Sequence, residues 1–160
     1  MPIYMKYDTI KGDVTEDTHK DWVELHSAQF GIGRGISAPT AGSAKDRESS
    51  APTVSEIVCT KDMDFSSADL FQESLRGKGK PCEIDFVRST QDQGMALYLK
   101  LTLTNTMISS YSTSSGGDKP TESLSLNFTK IEYKYVPTDE AHADSKPKIY
   151  TYDLATAKVS

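Results

Sequence analysis

Along most of the chain apolar residues recur at every second position, the period of a strand with one buried face. Ile3, Met5 and Tyr7 share one face of a first strand, with Tyr4, Lys6 and Asp8 on the other. Residues 21–30 read as a second strand, Val23 and Leu25 inward and Glu24 and His26 outward. Further on, Cys82, Ile84 and Phe86 alternate with Glu83 and Asp85, and Met95, Leu97, Leu99, Leu101 and Leu103 alternate with Lys100, Thr102 and Thr104. Leu124, Leu126 and Phe128 form an even-numbered row that continues on odd numbers as Ile131, Tyr133 and Tyr135. A one-residue change of phase predicts a β-bulge near 129–130.

One segment has a different period. Between Ser66 and Gly77, Leu70, Phe71, Ser74 and Leu75 fall at helical spacing. Ser66 or Ser67 is placed to cap the start, Asp69 suits the first turn, and Gly77 suits the position after the end. A short helix over about 67–76 is expected, covering apolar surface with Leu70, Phe71 and Leu75. Residues 38–53, 112–121 and 137–148 are polar and rich in Gly, Ser or Pro, and read as loops. The loop at 38–53 is long for a simple connection. The expected fold is mostly β: two sheets in a barrel-like arrangement, one flanking helix and one extended loop, in a single domain spanning 1–160.

Composition narrows the function. Hydrophobic residues make up 36% of the 160 and the net charge is −5, with a pI near 5.2 and a mean hydropathy of −0.50. The core is thin, the acidic balance lacks the electrostatic footprint for nucleic acid or an anionic membrane, and no apolar run approaches the ~20 residues of a membrane-spanning helix. The N-terminus MPIYMKYDTIKGD shows neither the basic nor the apolar part of a secretory signal. Export would therefore need a route without a cleaved signal. Cys59 and Cys82 fit no redox or zinc spacing and are expected as reduced, half-buried strand thiols rather than a disulfide.

No catalytic or cofactor set emerges. His19, His26 and His142 share no helical face, so packing or solvated histidines are expected and a metal site is not. Asp13, Glu16, Asp17 and Asp21 lack the ligand alternation of a calcium loop. Gly31-Ile32-Gly33-Arg34-Gly35 is not a dinucleotide fingerprint and reads as a bend or a place of close backbone approach. Asn127-Phe128-Thr129 is a chance sequon inside a strand. What remains is a non-enzymatic protein without cofactor, either a binding module or a subunit whose surface is its function.

Seven strings then converge: MPIYMKYDTIKGDVTEDTHKDW, GIGRGIS, RESSAPTVSEIVCTKDMD, LFQESL, SSGGD, ESLSLNFTKIEYKY and YDLATAK. In this order, spanning residues 1 to 158, they resemble the Hcp family, the haemolysin-coregulated proteins of type VI secretion systems. The resemblance implies a homohexameric ring that stacks into the inner tube of a contractile injector. That tube lies inside a sheath and is tipped by a valine–glycine repeat spike protein. It also implies assembly in the bacterial cytoplasm, export when the sheath contracts, and small effector proteins held in the lumen.

Ser27 and Gln29 keep the parity of Val23 and Leu25 but are polar, as if the face had left the core for water. The family uses this strand in its channel, so these two are candidate lumen-facing positions. In the extended loop, Pro39, Lys45, Asp46, Arg47 and Glu48 are candidates for contact with other subunits or rings. The alternative is a free-standing monomeric β-sandwich that binds carbohydrate or peptide on an aromatic platform of Tyr133, Tyr135, Tyr150 and Tyr152.

Overall fold

A computed structural model describes residues 1–38, 49–92, 94–138 and 145–160. The strands are β1 (Ile3–Tyr7), β2 (Val23–Leu25), β3 (Ser27–Gln29), β4 (Ile32–Gly33), β5 (Thr53–Val54), β6 (Ile57–Asp62), β7 (Lys80–Ser89), β8 (Met95–Ser114), β9 (Thr121–Asn127), β10 (Lys130–Tyr135), β11 (Lys148–Asp153) and β12 (Lys158–Val159), with one helix α1 (Ser67–Ser74) between β6 and β7. The larger sheet runs β12-β11-β10-β8-β7-β1-β2, and the smaller runs β3-β6-β9-β8. Strand β8 belongs to both, pairing with β7 and β10 through its first part and with β9 through Met107–Ser114. The chain also crosses between sheets from β2 to β3 at His26, so the fold is barrel-like without closing into a barrel.

The inner faces meet in one core: Met5, Tyr7, Val23, Leu25, Ile84, Leu101 and Leu103 from the larger sheet face Ile57, Cys59, Leu124 and Leu126 from the smaller. Three expectations change on contact with the structure. The phase shift near 129–130 is not a bulge: β9 ends in the smaller sheet at Asn127 and β10 begins in the larger at Lys130. The row of alternating leucines in β8 is split by a register shift opposite Phe86 and Val87, so that Leu99 packs on the main core and Leu97 on a second cluster. In the glycine-rich stretch read as a bend or a close approach, Gly33 pairs with Thr53 and a Cβ on Gly35 would lie 3.1 Å from Ser50 Oγ, but a much tighter approach to backbone lies at Gly12, where a Cβ would lie 2.3 Å from the Trp22 carbonyl oxygen.

The helix also differs. It ends at Ser74, short of Gly77, and of its apolar residues only Leu70 is buried, whereas Phe71 and Leu75 face solvent. Its start is held reciprocally: the Asp64 carboxylate accepts from the Ser66 backbone N–H at 2.9 Å, and the Ser67 hydroxyl accepts from the Asp64 backbone N–H at 2.9 Å.

A second small cluster of Tyr4, Val14 and Val87, with Trp22 and Leu97, forms where the connection between β1 and β2 folds over the larger sheet. His19 fastens it. Its Nδ1 lies 2.6 Å from Glu16 Oε2 and its Nε2 2.9 Å from Asp85 Oδ2, so one ring bridges both carboxyl groups. Tyr4 lies 4.8 Å from the ring and Trp22 meets it edge-on at 4.7 Å. The Thr18 hydroxyl and then His19 hold the Glu16 carboxyl down to about 2 from its ordinary 4.5. A carboxyl lowered by folding contributes stability that is present above the ordinary value and is lost as the pH falls toward the lowered one. Wild-type protein should therefore lose thermal stability more steeply than Glu16→Gln as the pH drops from about 5 to about 2, read as melting temperature against pH. Parallel curves would remove Glu16 from the acid response.

Candidate functional site

The outer face of the smaller sheet is built almost wholly from small uncharged side chains. Cross-strand register sets them in two rows: Ser27–Thr60–Ser123–Ser112 and Gln29–Val58–Ser125–Ser110. Each row crosses all four strands, and its members alternate with core residues along their own strands, as Ser123 and Ser125 alternate with Leu124 and Leu126. Hydroxyls pair across strands, Ser27 with Thr60 at 2.6 Å and Ser110 with Ser125 at 2.9 Å. Charge stands only at the two ends of the face. His26 meets Asp62 at 3.0 Å at one end, and at the other Glu56 accepts from Asn127 at 3.2 Å.

Ser27 and Gln29 therefore do sit together on one face, turned from the core. The mechanism differs from simple loss of apolar character, because the chain changes sheet at His26 and Ala28 becomes the residue packed on the core. The other members of the rows escaped the sequence reading. Their signal was available in the alternation Ser123-Leu124-Ser125-Leu126, where an outward-facing strand has hydroxyls in place of Lys or Glu. Of the loop candidates, Pro39, Lys45, Asp46, Arg47 and Glu48 lie outside the described residues. The chain reaches them through a two-stranded ribbon, β4 with β5, extended by a bridge between Ile36 and Ser49.

A second surface lies where β10, β11 and β12 continue the larger sheet past the cover of the smaller one. The core-side face of this wing carries Tyr133, Tyr150, Tyr152 and Val159, with Tyr133 directly opposite Tyr150. With the ribbon it encloses an open apolar groove of about 320 Å³. Three of the four tyrosines considered as a platform line it; Tyr135 pairs with Lys148 next to it.

A third surface is the solvent face of α1, whose position is fixed by a buried charge. Lys61 is fully buried; its Nζ lies 2.7 Å from Glu122 Oε2 and 2.9 Å from Asp64 Oδ1, and donates to the Ser67 hydroxyl at 3.2 Å. The Tyr111 hydroxyl donates to Glu122 at 2.6 Å. The cluster ties β6, β8 and β9 to the first turn of the helix. Among the described residues no group of acidic, His and Cys side chains is arranged to hold a metal ion. No helix is long and apolar enough to cross a membrane. Cys59 and Cys82 are free thiols, more deeply buried than expected, and burial pushes Cys59 up to about 12 and Cys82 well above its ordinary value.

Removing one partner of a buried ion pair strands the other. Lys61→Ala should lower unfolding free energy by about 3–5 kcal/mol, measured by urea denaturation. The double change Lys61→Met with Glu122→Leu should recover most of that loss, since both charges leave together. A single variant within ~0.5 kcal/mol of wild type would show the cluster to be solvated.

Comparison with known proteins agrees with the fold. Residues 4–135 match the family model described as type VI secretion system effector, Hcp. The chain is 31% identical over 104 residues to protein hcp1 of Pseudomonas aeruginosa, a match covering 63% of this chain and 64% of that one. A solved structure described as a type six secretion system protein superposes with a TM-score of 0.86 at 22% identity, covering 99% of both chains. Hcp1 from Salmonella typhimurium superposes with a TM-score of 0.77 at 24% identity, covering 99% of this chain and 98% of that one. The superpositions speak to the fold.

Proposed function

Because the chain belongs to the Hcp family of type VI secretion proteins, we propose that it is a structural subunit of the secretion tube. In this reading the chain acts as one domain over residues 1–160, and six copies close into a ring. Rings stack into an inner tube behind a valine–glycine repeat spike, and sheath contraction drives that tube out of the bacterial cytoplasm. Small effector proteins travel in the lumen.

The observation that carries the reading is the hydroxyl face. Six copies of the rows through Ser27 and Gln29 supply a channel wall with no charged side chain within the rows. A wall that must accept varied cargo and release it gains from small side chains, since each long charged group would add a specific attraction or a desolvation cost. The surface has no catalytic role in this account. In this reading the polar segment holding Pro39, Lys45, Asp46, Arg47 and Glu48, which the ribbon β4–β5 flanks in the chain, makes the contacts between subunits or rings. A ring built head to tail uses two different patches per subunit and closes without a large self-complementary apolar face.

Size-exclusion chromatography with light scattering should give six times the 17.6 kDa subunit mass. A monomer across micromolar concentrations would favour the free-standing binding module. In the ring, Gln29→Arg should leave the hexamer intact and sharply reduce co-purification of an effector, because six added charges face the lumen. Intact cargo binding would remove Gln29 from the wall, and collapse to monomers would place it at a subunit contact. Deleting residues 41–50 should leave the subunit folded by circular dichroism and abolish ring stacking in electron micrographs; an unfolded product would make the loop a core element.

A further inference from the structure

The two ends of the hydroxyl face are not alike in charge. Glu56 and Asp62 lie six residues apart on the same side of the chain, about 20 Å at the rise of a strand, and the rows between them carry no charge. At the His26 end anions stand beside cations: His26 meets Asp62 at 3.0 Å, and Lys119 shares a hollow with Asp13, Glu24 and Asp64. Asp64 is itself committed to Lys61. At the opposite end, among the described residues, no Lys, Arg or His lies within ion-pair distance of Glu56.

Glu56 is nonetheless held in place. It stands just before β6 on the side opposite Ile57, and the pairing of Ile57 with Leu126 sets it across from Asn127. Its Oε1 accepts from Asn127 Nδ2 at 3.2 Å, and its Oε2 accepts from the Ser109 hydroxyl. Ser109 is at hand because the register shift between Ile108 and Ser110 leaves it as the extra residue of β8. Both donors are neutral, so they orient the carboxylate without compensating its charge. A carboxylate offers about four acceptor sites. One on each oxygen is taken here, which leaves each oxygen a site for a further donor. A guanidinium fork fills two parallel sites of this kind and brings the missing positive charge.

We infer that the cargo accepted by this face is a polypeptide with an arginine-rich segment, which docks at the Glu56 end. The inference rests on the channel-wall reading and adds the sign of charge that the wall selects. In a ring the six Glu56 carboxylates circle one mouth of the channel, where walls of low dielectric focus their field. Basic segments are drawn to that mouth, and acidic ones meet the like-charge repulsion that disfavours wrong partners. The neutral rows beyond it add no opposing charge, so the choice is made at that end.

The test uses the assembled ring, checked by light scattering, and two labelled peptides of equal length, one arginine–serine and one glutamate–serine. Binding is read by fluorescence anisotropy. Wild type should bind the arginine peptide at least about tenfold more tightly than the glutamate peptide. Glu56→Gln keeps the shape of the side chain without its charge and should narrow that ratio at least about threefold. Asn127→Lys, which sets a cation across from Glu56, should narrow it independently. Glu132→Gln removes the same charge from the outer face of the larger sheet and should leave the ratio as in wild type. Equal binding of the two peptides, binding of neither, or a preference for glutamate overturns the inference and leaves the ring standing. A preference that persists in both Glu56→Gln and Asn127→Lys, or that falls equally in Glu132→Gln, belongs to the net charge of −5 and overturns the role of Glu56. Protein found only as monomer has no channel, and overturns both the inference and the reading beneath it.

Discussion

Everything in this fold is arranged around one strand that must serve two sheets. Strand β8 runs twenty residues, from Met95 to Ser114. Its first part needs partners on both sides in the larger sheet and its last part needs β9 in the smaller. The backbone must therefore turn from one sheet to the other while keeping its hydrogen-bond ladder, and register shifts opposite Lys80–Cys82 and at Ile108, with Asn105 in the left-handed region between them, accommodate that turn. Because β8 is shared, the inner faces of both sheets are held at a fixed separation and fill a common core. The crossing at His26 does the same at the opposite corner. The wing β10–β12 is then what remains when the larger sheet has more strands than the smaller can cover.

Two buried charges discipline the ends of this arrangement. Lys61 and Glu122 sit opposite each other in register on the core side of the smaller sheet, where an uncompensated charge could not stay. They are satisfied only if the helix delivers Asp64 and Ser67 and β8 delivers Tyr111. Burial of this kind adds little net stability but selects one placement for α1. His19 acts similarly on the outer side, where Glu16 and Asp85 must both be in reach. Leu70 anchors the helix on the core and the polar cluster ties its first turn to β6 and β9, while Phe71 and Leu75 remain exposed.

The β character, the approximate helix and the inward rows of β1, β2, β7, β9 and β10 were legible because period-2 burial leaves a direct imprint on sequence. The places where reading failed share one cause, since parity says which residues face together but not which sheet they face. The shift from Phe128 to Ile131 looks the same whether a strand bulges or changes sheet. The leucine row in β8 looks continuous although a register shift sends Leu97 to the other side. Phe71 and Leu75 have core-like identity, and nothing local shows that the core ends at Leu70. The hydroxyl rows were half visible through Ser27 and Gln29. The remaining positions came from three other strands that only register brings alongside.

The hydroxyl face has a consequence in how it holds water. A serine or threonine on a sheet donates and accepts at nearly equal cost to a neighbour or to solvent, so the rows through Ser123 and Ser125 can exchange partners without a large barrier. Long lysine or glutamate side chains there would have to be reoriented or desolvated by anything moving past, and leucines would adhere to apolar surface. A patch of interchangeable short hydroxyls keeps a thin, replaceable layer of solvent instead. Between its charged ends, such a surface offers no long side chain that would hold a neighbour more tightly than solvent does.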